Sequence, residues 1–275
     1  MDTRLTSTRF AAVATLLAAS AAAAGLLVTG LYRDSPNWIQ QARGTDLATL
    51  LLAVPVLVVG LWTSRRGSMA GRMAVVAGLL YLVYNYAIFA FSVAMNPLTA
   101  VHIAILGLSL WSLLLGARTG FGDGGDTSAR LHRRTSGGLL IGVAGMFGLL
   151  WTGQIATTTV TGILPPDLVL AGVTSNPVYA LDLAFFLPLC AVAGIGLLRG
   201  TDAAALGLPM LIWMPLMGAG VLGGFVLAAL AGDDVALAVP VVIGAVCVAS
   251  ATLALAAMIR PSARPRHATG MSATA

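Results

Sequence analysis

Eight long apolar runs separated by short polar gaps constrain this chain more than any other feature of its sequence. At a rise of ~1.5 Å per residue, about twenty residues cross a hydrocarbon core of ~30 Å, and each run has about that length. The runs cover residues 10–32, 46–64, 73–95, 98–117, 138–158, 177–198, 205–231 and 235–259. Hydrophobic residues make up 58% of the chain and charged residues 9%, a balance that soluble domains do not show. The sequence therefore predicts an all-α integral membrane protein with eight transmembrane helices.

The placement of arginine predicts how these runs are oriented. All fifteen basic residues are arginines, and arginine near the end of a span resists transfer across the bilayer, so arginine-rich gaps mark the cytoplasmic side. Only Arg33 and Arg43 fall in the other set of gaps. The remaining arginines, all in alternate gaps or at the termini, are Arg4, Arg9, Arg65, Arg66, Arg72, Arg118, Arg130, Arg133, Arg134, Arg199, Arg260, Arg264 and Arg266. Because the number of runs is even, both termini are predicted to be cytoplasmic.

The composition also predicts where the protein occurs. A chain whose only basic residues are arginines, and which is rich in alanine and glycine, is typical of a high-GC bacterial genome. We therefore expect a multi-pass protein of the bacterial cytoplasmic (inner) membrane. The first run also resembles a cleavable signal peptide, but it is longer than a usual signal core, so we expect it to be retained as a span.

Missing residue types exclude most familiar membrane chemistries. The sequence contains no lysine, which excludes a Schiff base with retinal or pyridoxal phosphate, and no glutamate. Only His102 among the histidines lies in an apolar run, so one chain cannot hold a haem between two intramembrane histidines. Cys190 and Cys247 are far apart and form no CxxC pair. We predict no metal site, no cofactor and, despite the net charge of +5, no nucleic-acid partner, because no basic patch with interleaved aromatic residues remains.

Three short matches, in the same order in both halves of the chain, predict an internal duplication. Gly25–Gly30 resembles Gly148–Gly153, Asp46 and the two residues after it match those at Asp182, and Gly60 matches Gly196. Because each half has an even number of spans, the halves are predicted to be parallel four-helix repeats related by an axis along the membrane normal. Chance matching in a chain rich in glycine and leucine is the alternative. The predicted units are repeat 1 (1–117), a flexible cytoplasmic linker (118–137), repeat 2 (138–259) and a disordered cytoplasmic tail (260–275).

Small residues and prolines give further expectations about the helices. The pairs Gly138/Gly142 and Gly220/Gly224 predict sites of close helix approach. Pro209 and Pro215 make the seventh run the best candidate for a distorted helix.

Polar side chains inside the apolar runs concentrate toward the outer side. A group that can ionise within the hydrocarbon costs a few kcal/mol and is usually kept facing protein or water. Asp182 is the clearest case, about 8 Å inward from the outer end of its run. The other candidates for binding a ligand or a proton are Asn85, His102, Tyr179, Asp46, Asn96 and Tyr81, with Gln154 at the outer end of the fifth run. If they converge, they form a polar pocket that is open to the outside, with Asp182 as its anion.

We also expect Asp182 to be protonated, or hydrogen-bonded to Tyr179, Asn85 or His102, for much of its time. The candidates have structural interpretations too. Asp46 begins a run, where a carboxylate caps a helix, and a lone histidine such as His102 is often a packing residue. The dipeptide Asn96-Pro97 predicts a tight turn. The aromatic residues expected at the outer interface are Tyr32, Trp38 and Trp151.

One resemblance adds to these patterns. The strings Tyr84-Asn85-Tyr86, Asn96-Pro97 and Pro177-Val178-Tyr179-Ala180-Leu181-Asp182-Leu183 resemble those of an uncharacterised group of bacterial polytopic, eight-span membrane proteins. The resemblance covers most of the chain. It implies a natural, recurrent membrane fold, and it implies no function because that group has no established activity.

Three functions are compatible with the sequence. The one it favours is a small-molecule or ion binding or transport protein in which Asp182 holds a proton or cation. The second is a structural or accessory membrane subunit. The third is an intramembrane enzyme acting on a lipid-like substrate, with Asp182 as general base and His102 as its partner, although the absence of any catalytic motif weighs against an enzyme and leaves no catalytic residue to name. The expected partners are the lipid bilayer, a small molecule or ion, and further copies of the chain or other membrane subunits.

Overall fold

The computed structural model describes residues 3–118 and 131–259, which form helices and short connections without any strand. Eight helices are long and apolar enough to cross a membrane, which confirms a multi-pass, all-helical membrane protein. We number them span 1 to span 8: Thr3–Leu27, Pro36–Arg65, Met69–Phe91, Thr99–Ala117, Arg133–Thr161, Pro177–Arg199, Asp202–Leu230 and Ala238–Ile259. Their arginine-bearing ends are called inner ends below, and the opposite ends are called outer ends.

Two of the predicted segments, the linker and the tail, lie largely outside the described residues. The tail, 260–275, lies outside the described residues, as does most of the linker predicted at 118–137. The last part of that linker differs from the prediction because span 5 begins at Arg133. The connection between spans 5 and 6 contains a short helix, Pro166–Ala171, which we call the loop helix.

Span 2 begins ten residues earlier than the hydropathy pattern predicts. Ser35 caps it by accepting a hydrogen bond from the backbone N–H of Trp38 at 3.4 Å, and Pro36 occupies the first turn. Both residues favour helix initiation. The prediction that Asp46 caps this helix is therefore wrong, because Asp46 lies in the third turn. Arg43, on the same helix, donates to the backbone carbonyl of Leu26 at the end of span 1 (3.0 Å).

Spans 2 and 6 each contain a single π-helical turn, at Thr49–Ala53 and Asp182–Phe186. A proline follows each turn by two residues, at Pro55 and Pro188. Proline lacks an N–H group and its ring crowds the carbonyl of the preceding turn, so a wider turn relieves the conflict. Span 7, the predicted site of distortion, instead keeps Pro215 within a continuous α-helix.

The two halves of the chain pack differently. Span 1 buries an alanine face (Ala11, Ala14, Ala18 and Ala21), and it packs closely along span 4. Small side chains allow such close approach, where dispersion forces rather than the hydrophobic effect hold helices together. Span 5 packs along span 6 and span 7 along span 8, but spans 5 and 8 scarcely touch. The second half therefore has a gap between its first and last spans, 5 and 8, whereas the first and last spans of the first half, 1 and 4, are in close contact.

The halves meet where span 7 crosses the outer part of span 2. A methyl group at Gly44 would clash with the backbone of Gly224, and one at Gly223 would lie 3.0 Å from the Gly44 carbonyl oxygen. The expectation for Gly220/Gly224 is thus confirmed. The expectation for Gly138/Gly142 is not met within the described residues, since a methyl group at either glycine would have no neighbour within 4 Å there.

This crossing predicts that Gly44→Ala destabilises the protein. The new methyl group meets backbone that cannot rotate away, and such overpacking costs about 1–3 kcal/mol. We expect a lower melting temperature in detergent. The matched control is Gly107→Ala in span 4, where a methyl group meets nothing within 4 Å, and where better helix propensity should leave stability equal or higher. Equal melting temperatures for the two variants would contradict the close crossing.

Candidate functional site

A cavity of about 610 Å³ lies between spans 5 and 8, in the outer part of the bundle. We call it the outer cavity. Spans 2, 3, 6 and 7 complete its walls, and it reaches from Trp38 near the outer end of span 2 to Cys190 and Trp213 deeper in the bundle. The loop helix contributes Leu168 and Ala171 to the lining, and the Ser35 hydroxyl holds it by donating to the Ala171 carbonyl (2.7 Å).

The Asp182 carboxylate lies in the wall of this cavity at the first residue of the span 6 π-turn. Its side chain is 9% exposed. The Tyr84 hydroxyl of span 3 donates to Oδ1 at 2.9 Å, and the Trp151 indole N–H of span 5 donates to Oδ2 at 2.8 Å. One carboxylate thus joins three spans through two neutral donors. The predicted partners of Asp182 were Tyr179, Asn85 or His102, and the donors that the structure shows are instead Tyr84 and Trp151.

Aromatic rings surround the two donors and hold them in place. Trp151 stacks on Tyr179 with ring centroids 4.7 Å apart, and the Tyr179 hydroxyl donates to the Gln154 side-chain oxygen. Tyr84 meets Phe186 edge to face at 4.8 Å, and Phe186 stacks on Trp213 at 4.9 Å. Aromatic pairs in such arrangements contribute about 0.5–1.5 kcal/mol each beyond the area they bury. The carboxylate is therefore held by a rigid frame.

Asn85 is the other predicted polar residue that lines the outer cavity together with Asp182 and Gln154. Its amide N–H group donates to the Tyr81 carbonyl at 3.0 Å and approaches the Met217 sulfur at 3.3 Å. Tyr81 lies nearby on span 3 but does not line the cavity. Its hydroxyl hydrogen-bonds to the Thr49 hydroxyl (2.8 Å), which ties span 3 to the π-turn of span 2.

Asp46 forms a separate buried site between spans 1 and 2. It is 2% exposed and accepts a 2.6 Å hydrogen bond from the Tyr32 hydroxyl. Gly25 of span 1 leaves room for this carboxylate, because a methyl group there would clash with it. Burial, and then the neighbouring Asp46 carboxylate, raises the pKa of Tyr32 far above its usual value, so Tyr32 remains a hydrogen-bond donor. Tyr32, which was predicted at the outer interface, is thus a buried partner of Asp46.

His102 and Asn96 lie apart from the outer cavity. His102 is 1% exposed and packs against the rings of Tyr86 (5.7 Å) and Phe89 (4.9 Å). Its Nδ1 atom has no hydrogen-bond partner among the described residues. Asn96 accepts a hydrogen bond from the Leu98 N–H (2.9 Å) and stabilises the turn between spans 3 and 4. The predicted convergence of Asp182, Asn85 and His102 therefore holds only for the first two.

Sequence reasoning missed the residues that contact Asp182 most closely. Tyr84 was not a candidate, and Trp151 was assigned to the membrane interface. The signal that could have found Trp151 is its place one span before Asp182 at a similar depth, since a buried indole N–H needs an acceptor. Two further cavity residues, Trp38 and Trp213, have buried indole N–H groups without a partner in the described parts of the chain.

The lining of the outer cavity defines what chemistry it offers. Among the described residues there is no group of three or more histidine, cysteine or acidic side chains that could hold a metal ion. The walls are mainly apolar, and Asp182 provides the one carboxylate among the described lining residues. Comparison with protein-family models, with curated proteins and with solved structures finds no match for this chain. The resemblance drawn from the sequence therefore stays a prediction.

The Asp182 contacts predict that Trp151→Phe destabilises the protein more than a tryptophan replacement elsewhere. The variant leaves one buried carboxylate oxygen without its donor, which costs about 1–3 kcal/mol. We expect a lower melting temperature and a shifted infrared band for the Asp182 carboxyl group. The matched control is Trp111→Phe, because Trp111 is 58% exposed on span 4. Equal effects of the two replacements, with no change in the carboxyl band, would contradict the contact.

Proposed function

We propose that this protein binds, and transports, a small molecule or ion at a polar site in the outer half of the bilayer. The observation that carries the proposal is the outer cavity with Asp182 in its wall. Its volume of about 610 Å³ falls within the range of roughly 300–1,000 Å³ found for ligand sites. Mainly apolar walls with a few placed polar groups are also typical of such sites.

The chemistry of Asp182 supports a ligand with a cationic or hydrogen-bond-donating group. An ionised carboxylate has about four acceptor positions, and Tyr84 and Trp151 use two of them. Both donors are neutral, so they satisfy the oxygens without cancelling the charge. In a site of low dielectric, a proton or a ligand cation supplies the missing positive charge. The simplest ligand that matches both the apolar walls and the carboxylate is an amphiphile, whose alkyl chain would contact the walls and whose ammonium group would contact Asp182.

The outer cavity also supports a lateral route of entry. Spans 5 and 8 both line it yet scarcely touch each other, so the gap between them faces the lipid. The loop helix lies over the outer end and is tied to span 2 through Ser35. An amphiphile in the outer leaflet would therefore enter between spans 5 and 8, with its polar group leading toward Asp182.

A structural or accessory subunit is the second candidate, and one observation favours it. Several polar groups of the first half are satisfied by each other, as in the Tyr32–Asp46 and Tyr81–Thr49 hydrogen bonds. These contacts hold helices together without any ligand. The intramembrane enzyme has less support, because His102, the assigned partner of Asp182, packs against Tyr86 and Phe89 and does not line the outer cavity.

The arginine distribution supports an orientation with both termini in the cytoplasm. Within the described residues, arginines collect at one set of span ends, including Arg65, Arg72 and Arg199. Asp34 and Asp233 lie at the opposite set. With the high-GC composition, this pattern supports a bacterial cytoplasmic membrane as the location, and it would make the outer cavity accessible from the extracytoplasmic side.

We include the internal duplication in the proposal, with one change in its register. The π-turns of spans 2 and 6 and the prolines after them correspond when residue numbers differ by 133. In that register Thr49, and not Asp46, takes the place of Asp182. The two residues make comparable contacts with span 3, since Thr49 bonds to Tyr81 and Asp182 to Tyr84. Divergence after duplication would then have opened only the second half.

The first prediction from this proposal concerns ligand charge. Dodecylammonium, added to the protein in lipid nanodiscs, should change the fluorescence of the tryptophans around the outer cavity. Asp182→Asn keeps the shape of the side chain but removes its charge, and a hydrogen bond to a charged group contributes about 1.5–3 kcal/mol. We therefore expect binding about 10- to 100-fold weaker for the variant.

Two controls make this test specific. Asp234→Asn removes the same charge from an exposed residue at the outer end of the bundle and should leave the affinity unchanged. Dodecyl sulfate, which has an alkyl chain of the same length and the opposite charge, should bind no better to the wild type than to Asp182→Asn. If the Asp182 and Asp234 variants bind dodecylammonium as well as the wild type does, the proposed role of Asp182 is wrong.

The second prediction concerns orientation. Thr174 and Thr201 are both exposed and flank span 6 at its outer and inner ends. Single cysteines at these positions, with Cys190 and Cys247 replaced by alanine, are treated in intact cells with an impermeant thiol reagent. Thr174→Cys should react and Thr201→Cys should react only after the membrane is permeabilised. The reverse pattern would overturn the proposed orientation.

A further inference from the structure

A second cavity, of about 270 Å³, lies at the inner ends of spans 1 to 4. We call it the inner cavity. Its lining includes three arginines from three different spans: Arg4 on span 1, Arg65 at the end of span 2 and Arg72 on span 3. It is separate from the outer cavity in position, in lining and in charge, and nothing in the proposed function uses it.

The inner cavity brings cationic and hydroxyl groups together. Ser64 and Thr8 add hydroxyl groups to the wall, and the described residues that line it include no acidic side chain. Ser7 and Ser112 form its floor through reciprocal hydrogen bonds, in which each hydroxyl donates to the other residue's carbonyl (2.9 and 2.8 Å). These bonds fix spans 1 and 4 side by side. The arginines therefore surround a cleft whose shape is set by helix packing.

Membrane orientation alone does not account for this convergence. The positive-inside rule requires arginines near the inner span ends, but it does not require them to line one cleft. Arg66 illustrates the difference. It is the neighbour of Arg65 in sequence, yet its guanidinium group lies 3.7 Å from the ring of Trp62 on the exposed surface. Arg65 contributes to the cavity wall instead.

We propose that the inner cavity binds a phosphate group, either that of an anionic lipid headgroup or that of a soluble phosphate. The guanidinium group presents paired N–H donors that match two phosphate oxygens, and its charge persists at any physiological pH. Basic pockets between transmembrane helices at the cytoplasmic side are suited to phosphate headgroups. The hydroxyl groups of Ser64 and Thr8 already donate to the backbone carbonyls of Leu61 and Arg4, both at 2.9 Å, so the arginines would supply the donors for the phosphate oxygens.

The test uses the full chain and two probes. In the lipid arm, the protein is placed in phosphatidylcholine nanodiscs with increasing phosphatidylglycerol, and the lipid that remains bound after extraction is counted by native mass spectrometry. In the soluble arm, inorganic phosphate is titrated into the protein in pure phosphatidylcholine nanodiscs, and the melting temperature is measured. Binding of phosphatidylglycerol alone identifies a lipid headgroup, and stabilisation by inorganic phosphate identifies a soluble ligand.

Matched arginine pairs separate a built site from general surface attraction. The variant Arg65→Gln/Arg72→Gln removes two lining residues. The control variant Arg9→Gln/Arg66→Gln removes one arginine of span 1 and the arginine that follows span 2, neither of which lines the cavity. A direct hydrogen bond to a charged group strengthens binding by about tenfold or more, so we expect roughly 100-fold weaker binding for the lining pair. The surface pair makes no contact inside the cleft and loses only long-range attraction, so its loss should be clearly smaller, at most about 25-fold and less at physiological salt.

A conservative variant keeps the test decisive if the glutamine pair does not fold. Arg65→Lys/Arg72→Lys keeps both charges but loses the paired donors, so it should fold and bind the probe several-fold more weakly than the wild type. Equal losses for the lining and surface pairs, or no binding of either probe to the wild type, would overturn the proposal.

Discussion

The Asp182 carboxylate sets the arrangement of the outer half of this protein. In a bilayer, a buried charged group must be bonded to protein or reach water, because lipid offers no partner. Tyr84 and Trp151 meet that demand from two other spans, at 2.9 and 2.8 Å. Spans 3, 5 and 6 are thereby fixed around one point, with a π-turn that begins at Asp182 itself. The outer cavity lies beside this junction. Trp151 fixes one face of span 5 to Asp182, and the opposite side of span 5 scarcely touches span 8.

The contrast between the two halves shows what the cavity depends on. Span 1 presents alanines to the bundle and packs along span 4, with Ser7 and Ser112 bonded at the inner end. Span 5 presents the bulkier Phe147 and Trp151 to the outer cavity, and span 8 stands away from it. Large rings thus line a space that small side chains would have closed. The closely packed first half therefore contains the inner cavity with its arginines, and the more open second half contributes Asp182 to the outer cavity.

Hydropathy predicted the eight spans because a run of about twenty apolar residues is rarely found outside transmembrane helices. It placed the start of span 2 ten residues late because the cap at Ser35 lies in a polar stretch that hydropathy does not recognise. The position of a residue along its span was also predictable, which is why Asp182 and Asn85, both in the lining of the outer cavity, were candidates. The rotation of each helix was not, since it depends on packing between spans. For that reason His102, at a similar depth, was grouped with Asp182, while the actual donor Tyr84 was missed.

A side-chain-resolved map of the protein in lipid nanodiscs, obtained by electron cryomicroscopy, tests the central claim most directly. The account predicts that spans 5 and 8 stand apart, with elongated non-protein density between them that ends within hydrogen-bonding distance of Asp182. Tyr84 and Trp151 should both contact that carboxylate. Spans 5 and 8 packed against each other as closely as spans 1 and 4, with no space beside Asp182, would contradict the account.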